Sequence, residues 1–187
     1  MDGLPMHVTR HDGEGHLIIR GRRDGDLDAC EQLVQATHRH DRYPVYLGDS
    51  ARSFLCHPGA LSAWVAEFGN TIAGHVALHP ATSKAVTALA CDRLNITAGR
   101  IGVIARLLVS PQQRGRGAGS RLLATAAAHA HALRLQPILD VDMNLTAAIA
   151  LYERAGWQRI GQTSIDLPDG TSLREAVYAL TFSPAAG

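Results

Sequence analysis

Residues 112–119 read Gln-Gln-Arg-Gly-Arg-Gly-Ala-Gly, and this stretch constrains the chain more than any other. Its alternating glycines, Gly115, Gly117 and Gly119, separate an apolar run, Ile101–Val109, from an alanine-rich segment that begins at Ser120 and ends near Leu135. The run is apolar on both alternating faces except at Arg106, which is the pattern of a central strand covered on both sides. The later segment carries Leu122, Leu123, Ala126, Ala127, Ala130 and Leu133 along one side, as an amphipathic helix does. Glycine lets the backbone turn freely and lets a ligand come close. A helix start leaves N–H groups unpaired and carries partial positive charge, and a phosphate satisfies both. Arg114, Arg116 and Arg121 add full charges of the kind that grip phosphate through paired bonds. A tight turn with a solvated basic edge would use the same residues.

Two familiar phosphate loops do not fit. No G-x-x-x-x-G-K-[ST] sequence is present, which sets aside a nucleoside triphosphatase loop. The glycines run G-x-G-x-G and lie late in the chain, whereas a dinucleotide fold places G-x-G-x-x-G in an early parallel unit.

The pattern elsewhere predicts a mixed domain. Leu17–Arg20 is a first strand, and Asp24 or Asp26 caps a helix carrying Leu27, Cys30, Leu33, Val34 and Thr37. Asp49–Cys56 is a short second helix. Ala60–Phe68 and Thr71–Leu78 flank Gly69-Asn70 as an antiparallel hairpin. Ser83–Leu94 is a helix of weak polarity pattern. Pro137–Val141 is a strand, and Thr146–Ala155 a helix stopped by Gly156. Trp157–Asp166 and Leu173–Phe182 are the last strands, joined by a turn at Pro168-Asp169-Gly170. The fold class expected is α/β (α+β), one domain over 16–183 with a central mixed, mostly antiparallel sheet flanked by helices. Residues 1–15 are expected to be a flexible tail.

Composition narrows the function. A net charge of +1 over 187 residues argues against a general nucleic-acid binder. No apolar run is long enough to span a membrane, so no membrane partner is expected. Cys30, Cys56 and Cys91 are odd in number and widely spaced, which fits reduced thiols in a cytoplasmic protein and not a zinc site or disulfide framework. The ten histidines show no metal-ligand spacing, so no metal is expected.

Two segments carry a family resemblance. Leu107–Leu123, with Arg114, Gly117 and Gly119 at the marked positions, resembles the [QR]-x-x-G-x-[GA] acetyl-CoA motif of the GNAT superfamily of N-acetyltransferases. Ala148-Ile149-Ala150-Leu151-Tyr152-Glu153-Arg154-Ala155-Gly156-Trp157 is similar to that family's A-I-x-L-Y-x-x-x-G-[FW] segment. The resemblance implies a sheet splayed open for acetyl-CoA as cosubstrate. It implies that the strand end at Leu107, Leu108 and Val109 meets the acetyl and pantetheine parts. It implies that Arg114, Gly115, Arg116, Gly117, Ala118, Gly119 and Ser120 cradle the pyrophosphate, and that Tyr152 protonates the departing thiolate. Tyr152 reads equally as a core tyrosine on residue type alone.

The chain departs from the family pattern in two places. Where many relatives have an asparagine seven residues before the tyrosine, this chain has Leu145, leaving Asn144 as the cofactor contact or Thr146 as a cap. The run Ile101–Val109 has no acidic residue to act as base, which leaves Glu67, His75, His79 and Asp142. Arg39, His40, Asp41 and Tyr43 are candidates for the acceptor side. The expected reaction is acetyl transfer to a primary amine of a small molecule or protein, in a protein that is often a homodimer among relatives. The alternative is a catalytically inactive domain that binds or senses acetyl-CoA.

Overall fold

The computed structural model describes residues 16–45, 50–167 and 170–180. The expected tail at 1–15, residues 181–183, Asp49 and Pro168-Asp169 lie outside them.

Seven strands form one sheet: β1 (Leu17–Gly21), β2 (Ser62–Phe68), β3 (Thr71–Pro80), β4 (Ile101–Val109), β5 (Gln136–Asp142), β6 (Gln158–Asp166) and β7 (Ser172–Ala179). Their spatial order is β1-β2-β3-β4-β5-β7-β6, and every neighbouring pair is antiparallel except β4 with β5. The expected mixed, mostly antiparallel sheet is therefore present. Helices α1 (Leu27–Asp41), α2 (Ala51–Leu55) and α3 (Lys84–Leu94) cover one face, while α4 (Ala118–Ala132) and α5 (Thr146–Arg154) cover the other.

Each face has its own core. Leu122, Leu123 and Ala126 of α4 pack on Val76, Leu78 and Ile104. Opposite them, Leu33 and Val34 of α1 meet Val65 and Leu108, and Val86 and Ala90 of α3 meet Ile101, Ile138 and Val177. Gly74 lets α4 sit close, since a Cβ there would lie 2.8 Å from Leu122 Cδ1.

Two irregularities in β4 shape the functional region. Its parallel pairing with β5 runs only from Ile101↔Gln136 to Val103↔Ile138, and the two strands then part. Toward β3, the register passes from His75↔Leu108 to Ala77↔Ala105, so β4 uses one extra residue. Arg106 takes up that residue as a bulge, with φ of 57°. The bulge also swaps the faces. Val103 points to the α3 side and Ile104 to the α4 side, but beyond it Leu108 faces α1 and Leu107 and Val109 face α4.

Some element ends differ from expectation. Helix α4 starts at Ala118, two residues early, because Gly117 supplies a left-handed N-cap at φ 83°. It stops at Ala132, which leaves Leu133 46% exposed and off the buried face. Asp26 occupies the N-cap position of α1, but its carboxylate accepts from the Arg20 guanidinium at 2.7 Å instead of capping α1.

Candidate active site

Where β4 and β5 part, a cleft of about 830 Å³ opens. The glycine loop stands at one end, the second half of β4 forms one wall, and β5 with β7 and the start of α5 form the other. A shallower hollow of about 500 Å³ lies on the outer side of α4 against Trp157, away from the glycine loop's turn.

The loop follows the expected logic at the backbone and departs from it at the side chains. Gly115 and Gly117 have φ of 75° and 83°, a left-handed conformation that strains other residues. The first helical bond runs from Arg121 N–H to Gly117 O at 3.1 Å, so the first-turn amides before it have no acceptor within the helix. Gly119 allows close packing, since a Cβ there would lie 3.2 Å from Leu151 Cδ2 and 3.4 Å from Val109 Cγ2. Ala118 is buried, while Ser120 is exposed at the cleft. Of the three arginines in and beside the loop, Arg114 lines the cleft, and Asp41 at the end of α1 accepts two bonds from its guanidinium. Arg116 turns aside, its guanidinium 4.2 Å from the Phe68 ring centroid and bonded to Gln113 Oε1 at 2.6 Å. Arg121 donates to Leu17 O at 2.8 Å and ties α4 to β1.

Leu107, Leu108 and Val109 all border the cleft. Ser110 N–H donates to Ala73 O on β3 at 2.8 Å. Because backbone groups alternate along an extended strand, the preceding Val109 N–H faces the other edge, toward the cleft.

Tyr152 reaches the cleft floor from α5 and is 7% exposed. Its ring lies 6.2 Å from that of Tyr178. Burial pushes its phenol far above the usual tyrosine range, with Tyr43 and Asp140 adding to the shift. It stays protonated. Tyr43, just past α1, is also pushed up by burial. The α1 side and α5 thus meet across the parted strands.

The four candidate bases fare differently. Glu67 accepts from Arg20 Nε at 2.7 Å on the β1–β2 pair and does not line the cleft. His75 is fully buried, with Arg106 O at 3.1 Å from Nδ1 and Arg22 Nη1 at 3.2 Å from Nε2; it braces the bulge and does not line the cleft. His79 is 3% exposed and contacts the Arg106 guanidinium, which also stacks 5.1 Å from the Phe54 ring centroid. Burial holds both histidines down to about 4. Asp142 does border the cleft, but its Oδ1 accepts from Asn144 N at 2.9 Å and Nδ2 at 3.0 Å. Asn144 therefore stands at the rim with its amide turned back. Leu145 takes the N-cap position of α5 without a side-chain cap, and Thr146 is the first helical residue.

Of the acceptor-side candidates, Asp41 and Tyr43 line the cleft, and His40 pairs with Asp41 at 2.8 Å. Two carboxyl groups that the sequence did not single out for this site line it too. These are Asp140 on β5 and Glu175 on β7. Only the pairing of β5 with β7 brings them together, and that pairing leaves no local signal. Among the described residues no group of His, Cys, Asp and Glu could hold a metal ion, and no helix is long and apolar enough to cross a membrane.

Comparison with known proteins agrees with this geometry. Solved structures share the fold at low identity. Arabidopsis thaliana NAA60 in complex with acetyl-CoA is 18% identical, with a TM-score of 0.67 over 88% of this chain and 97% of that one. An N-acetyltransferase from Staphylococcus aureus is 16% identical, with a TM-score of 0.65 over 88% and 98%. A GNAT-family acetyltransferase from Streptococcus pneumoniae is 19% identical, with a TM-score of 0.58 over 88% and 98%. No curated protein sequence gives a significant match. The acetyltransferase (GNAT) family model matches residues 27–157, which hold the glycine loop, the bulged strand and Tyr152. This chain belongs to the GNAT family of acetyl-CoA-dependent N-acetyltransferases.

Proposed function

We propose that this protein transfers the acetyl group of acetyl-CoA to a primary amine of a small molecule or peptide, by direct attack in a ternary complex. The observation that carries this reading is the meeting, in one cleft, of the glycine loop, the end of β4 and the buried Tyr152 phenol. The amides from Arg114 to Gly119 hold the pyrophosphate at the start of α4. Leu107, Leu108 and Val109 run beside the pantetheine and thioester, and the Val109 N–H polarises the acetyl carbonyl. Tyr152 gives its proton to the departing thiolate. Asn144 becomes a cofactor contact when its amide leaves Asp142. Arabidopsis thaliana NAA60, which shares the fold, has been solved with a bisubstrate analogue, consistent with both substrates meeting in one site.

The test is thiol release from acetyl-CoA with a panel of amino acids, diamines and short peptides. Tyr152→Phe lowers kcat by about 100-fold, the lower range for loss of a general acid, and leaves the stabilisation by acetyl-CoA intact. Wild-type kcat in that variant would remove the role of Tyr152. Stabilisation by acetyl-CoA without turnover of any amine would favour a sensing domain.

A further inference from the structure

Asp140 and Glu175 form the wall of the cleft on the β5–β7 side. Asp140 is opposite Val177 and Glu175 opposite Asp142, so the two carboxyl groups are diagonal neighbours on one face. Glu175 is 7% exposed, and its Oε2 is buried without a hydrogen-bond donor. Among the described residues, neither carboxylate belongs to an ion pair. The other titratable groups facing them leave the pair unneutralised. Asp142 from β5 adds negative charge. Tyr43 and Tyr152, from the α1 and α5 sides, stay neutral. Arg106 from β4 contacts His79 and Phe54 and leaves its buried Nε unpartnered, and Arg154 at the end of α5 also borders the cleft, but neither forms an ion pair with the two carboxyls. A buried carboxylate without a cation is unfavourable. Two side by side must hold a proton or receive a positively charged ligand.

We propose that the Asp140–Glu175 pair seats the acceptor's ammonium group and that Glu175 takes its proton, so that the acceptor is a cationic primary amine. This rests on the N-acetyltransferase reading above. The arriving ammonium displaces the proton held by the pair. One N–H bond of the ammonium breaks, its proton goes to the Glu175 carboxylate, and the freed electron pair forms the C–N bond to the acetyl carbon. The C–S bond then breaks and the thiolate takes the Tyr152 proton. The nitrogen's second proton restores the phenol, and the proton now on Glu175 returns the pair to its starting state, so the proton released is the one the ammonium displaced. The sum is ammonium plus thioester giving amide, thiol and one proton. Burial, then the Asp140 carboxyl, pushes Glu175 up to about 8, a range matched to deprotonating an amine.

The experiment compares wild type, Glu175→Gln and Glu175→Asp. It measures melting with acetyl-CoA, and kcat/KM against pH with the amine panel. Gln keeps the volume and can still bond Asp140, so a purely structural pair would tolerate it. The expected result is equal stabilisation of all three by acetyl-CoA. Wild-type kcat/KM should rise with pH up to about 8. It should fall by about 100-fold or more in Glu175→Gln with loss of that limb, and recover partly in Glu175→Asp. In parallel, carboxyl NMR of the wild-type acetyl-CoA complex should show methylammonium, but not sodium at equal ionic strength, lowering the Glu175 midpoint. That readout decides the matter if no panel amine turns over, and an unmoved midpoint then overturns the proposal. Wild-type kcat/KM and the same limb in Glu175→Gln would overturn this assignment alone. No stabilisation of the wild type by acetyl-CoA would overturn the acetyl-transfer reading as well.

Discussion

Replacing Gly117 separates backbone strain from ligand binding. Its φ is 83° and its ψ −1°, and nothing lies within 4 Å of the position a Cβ would take. Gly117→Ala therefore meets no clash, and its cost is the left-handed conformation alone, about 1–2 kcal/mol. At about 2–4 °C per kcal/mol for a domain of this size, melting falls by about 2–8 °C. The same change adds no charge, so acetyl-CoA still binds. At about 100 times its dissociation constant it adds about 2.7 kcal/mol, or about 5–11 °C. Gly117→Glu carries the same strain and also places a carboxylate at the helix start where the pyrophosphate belongs. It should lose the ligand-induced rise while melting without ligand near the alanine variant. Gly59→Glu is the control, since Gly59 has φ of 82° and equally open surroundings in the turn before β2. It should lose similar stability and keep the rise. Differential scanning fluorimetry of the four proteins, with and without acetyl-CoA, reads all of this. A full ligand-induced rise in Gly117→Glu would refute the assignment of the loop to phosphate.

Two further outcomes follow from named contacts. Asp41 holds Arg114 at the mouth of the cleft, and its carboxyl is kept below the usual range chiefly by that guanidinium. Asp41→Asn releases Arg114 to the phosphate and should tighten acetyl-CoA binding by up to about fivefold, since exposed pairs contribute at most about 1 kcal/mol; weaker binding by calorimetry would mean that Asp41 positions Arg114 instead of competing for it. His75 and His79 stay neutral down to about 4 against an ordinary 6.5 because burial opposes their charge, so the unfolded chain binds protons that the native one does not. Melting temperature should hold above pH 6.5 and fall as the pH drops toward 4, and imidazole NMR midpoints near 6.5 would contradict this.

The element order was legible because its signals are local. The hairpin at Gly69-Asn70, the loop ahead of α4 and the stop at Gly156 each rest on residues adjacent in sequence. What escaped depends on pairing. His75 reads as a polar residue on a strand able to face a cleft, but its strand partner turns it under the bulge, where Arg106 O and Arg22 occupy both ring nitrogens. Asp140 and Glu175 lie on strands separated by α5 and β6, and only the pairing of β5 with β7 makes them neighbours. The arginines show the same limit. Charge near a glycine loop is visible in sequence, but the turning of Arg116 onto Phe68 and of Arg121 onto Leu17 O follows from where β2 ends and β1 begins.

The bulge at Arg106 has a mechanical corollary. A bulged strand bends and twists more than a regular one, and here the bend falls just past the last rung shared with β5. The same inserted residue inverts which side chains face which layer. Gap width and side-chain phase are thus geared together. Deleting that residue would straighten β4 against β5 and, in the same stroke, turn Leu108 toward α4 and Leu107 and Val109 toward α1. Shorter and longer β4 strands are not graded versions of one another, because the strand has only two phases and only one of them leaves the cleft open.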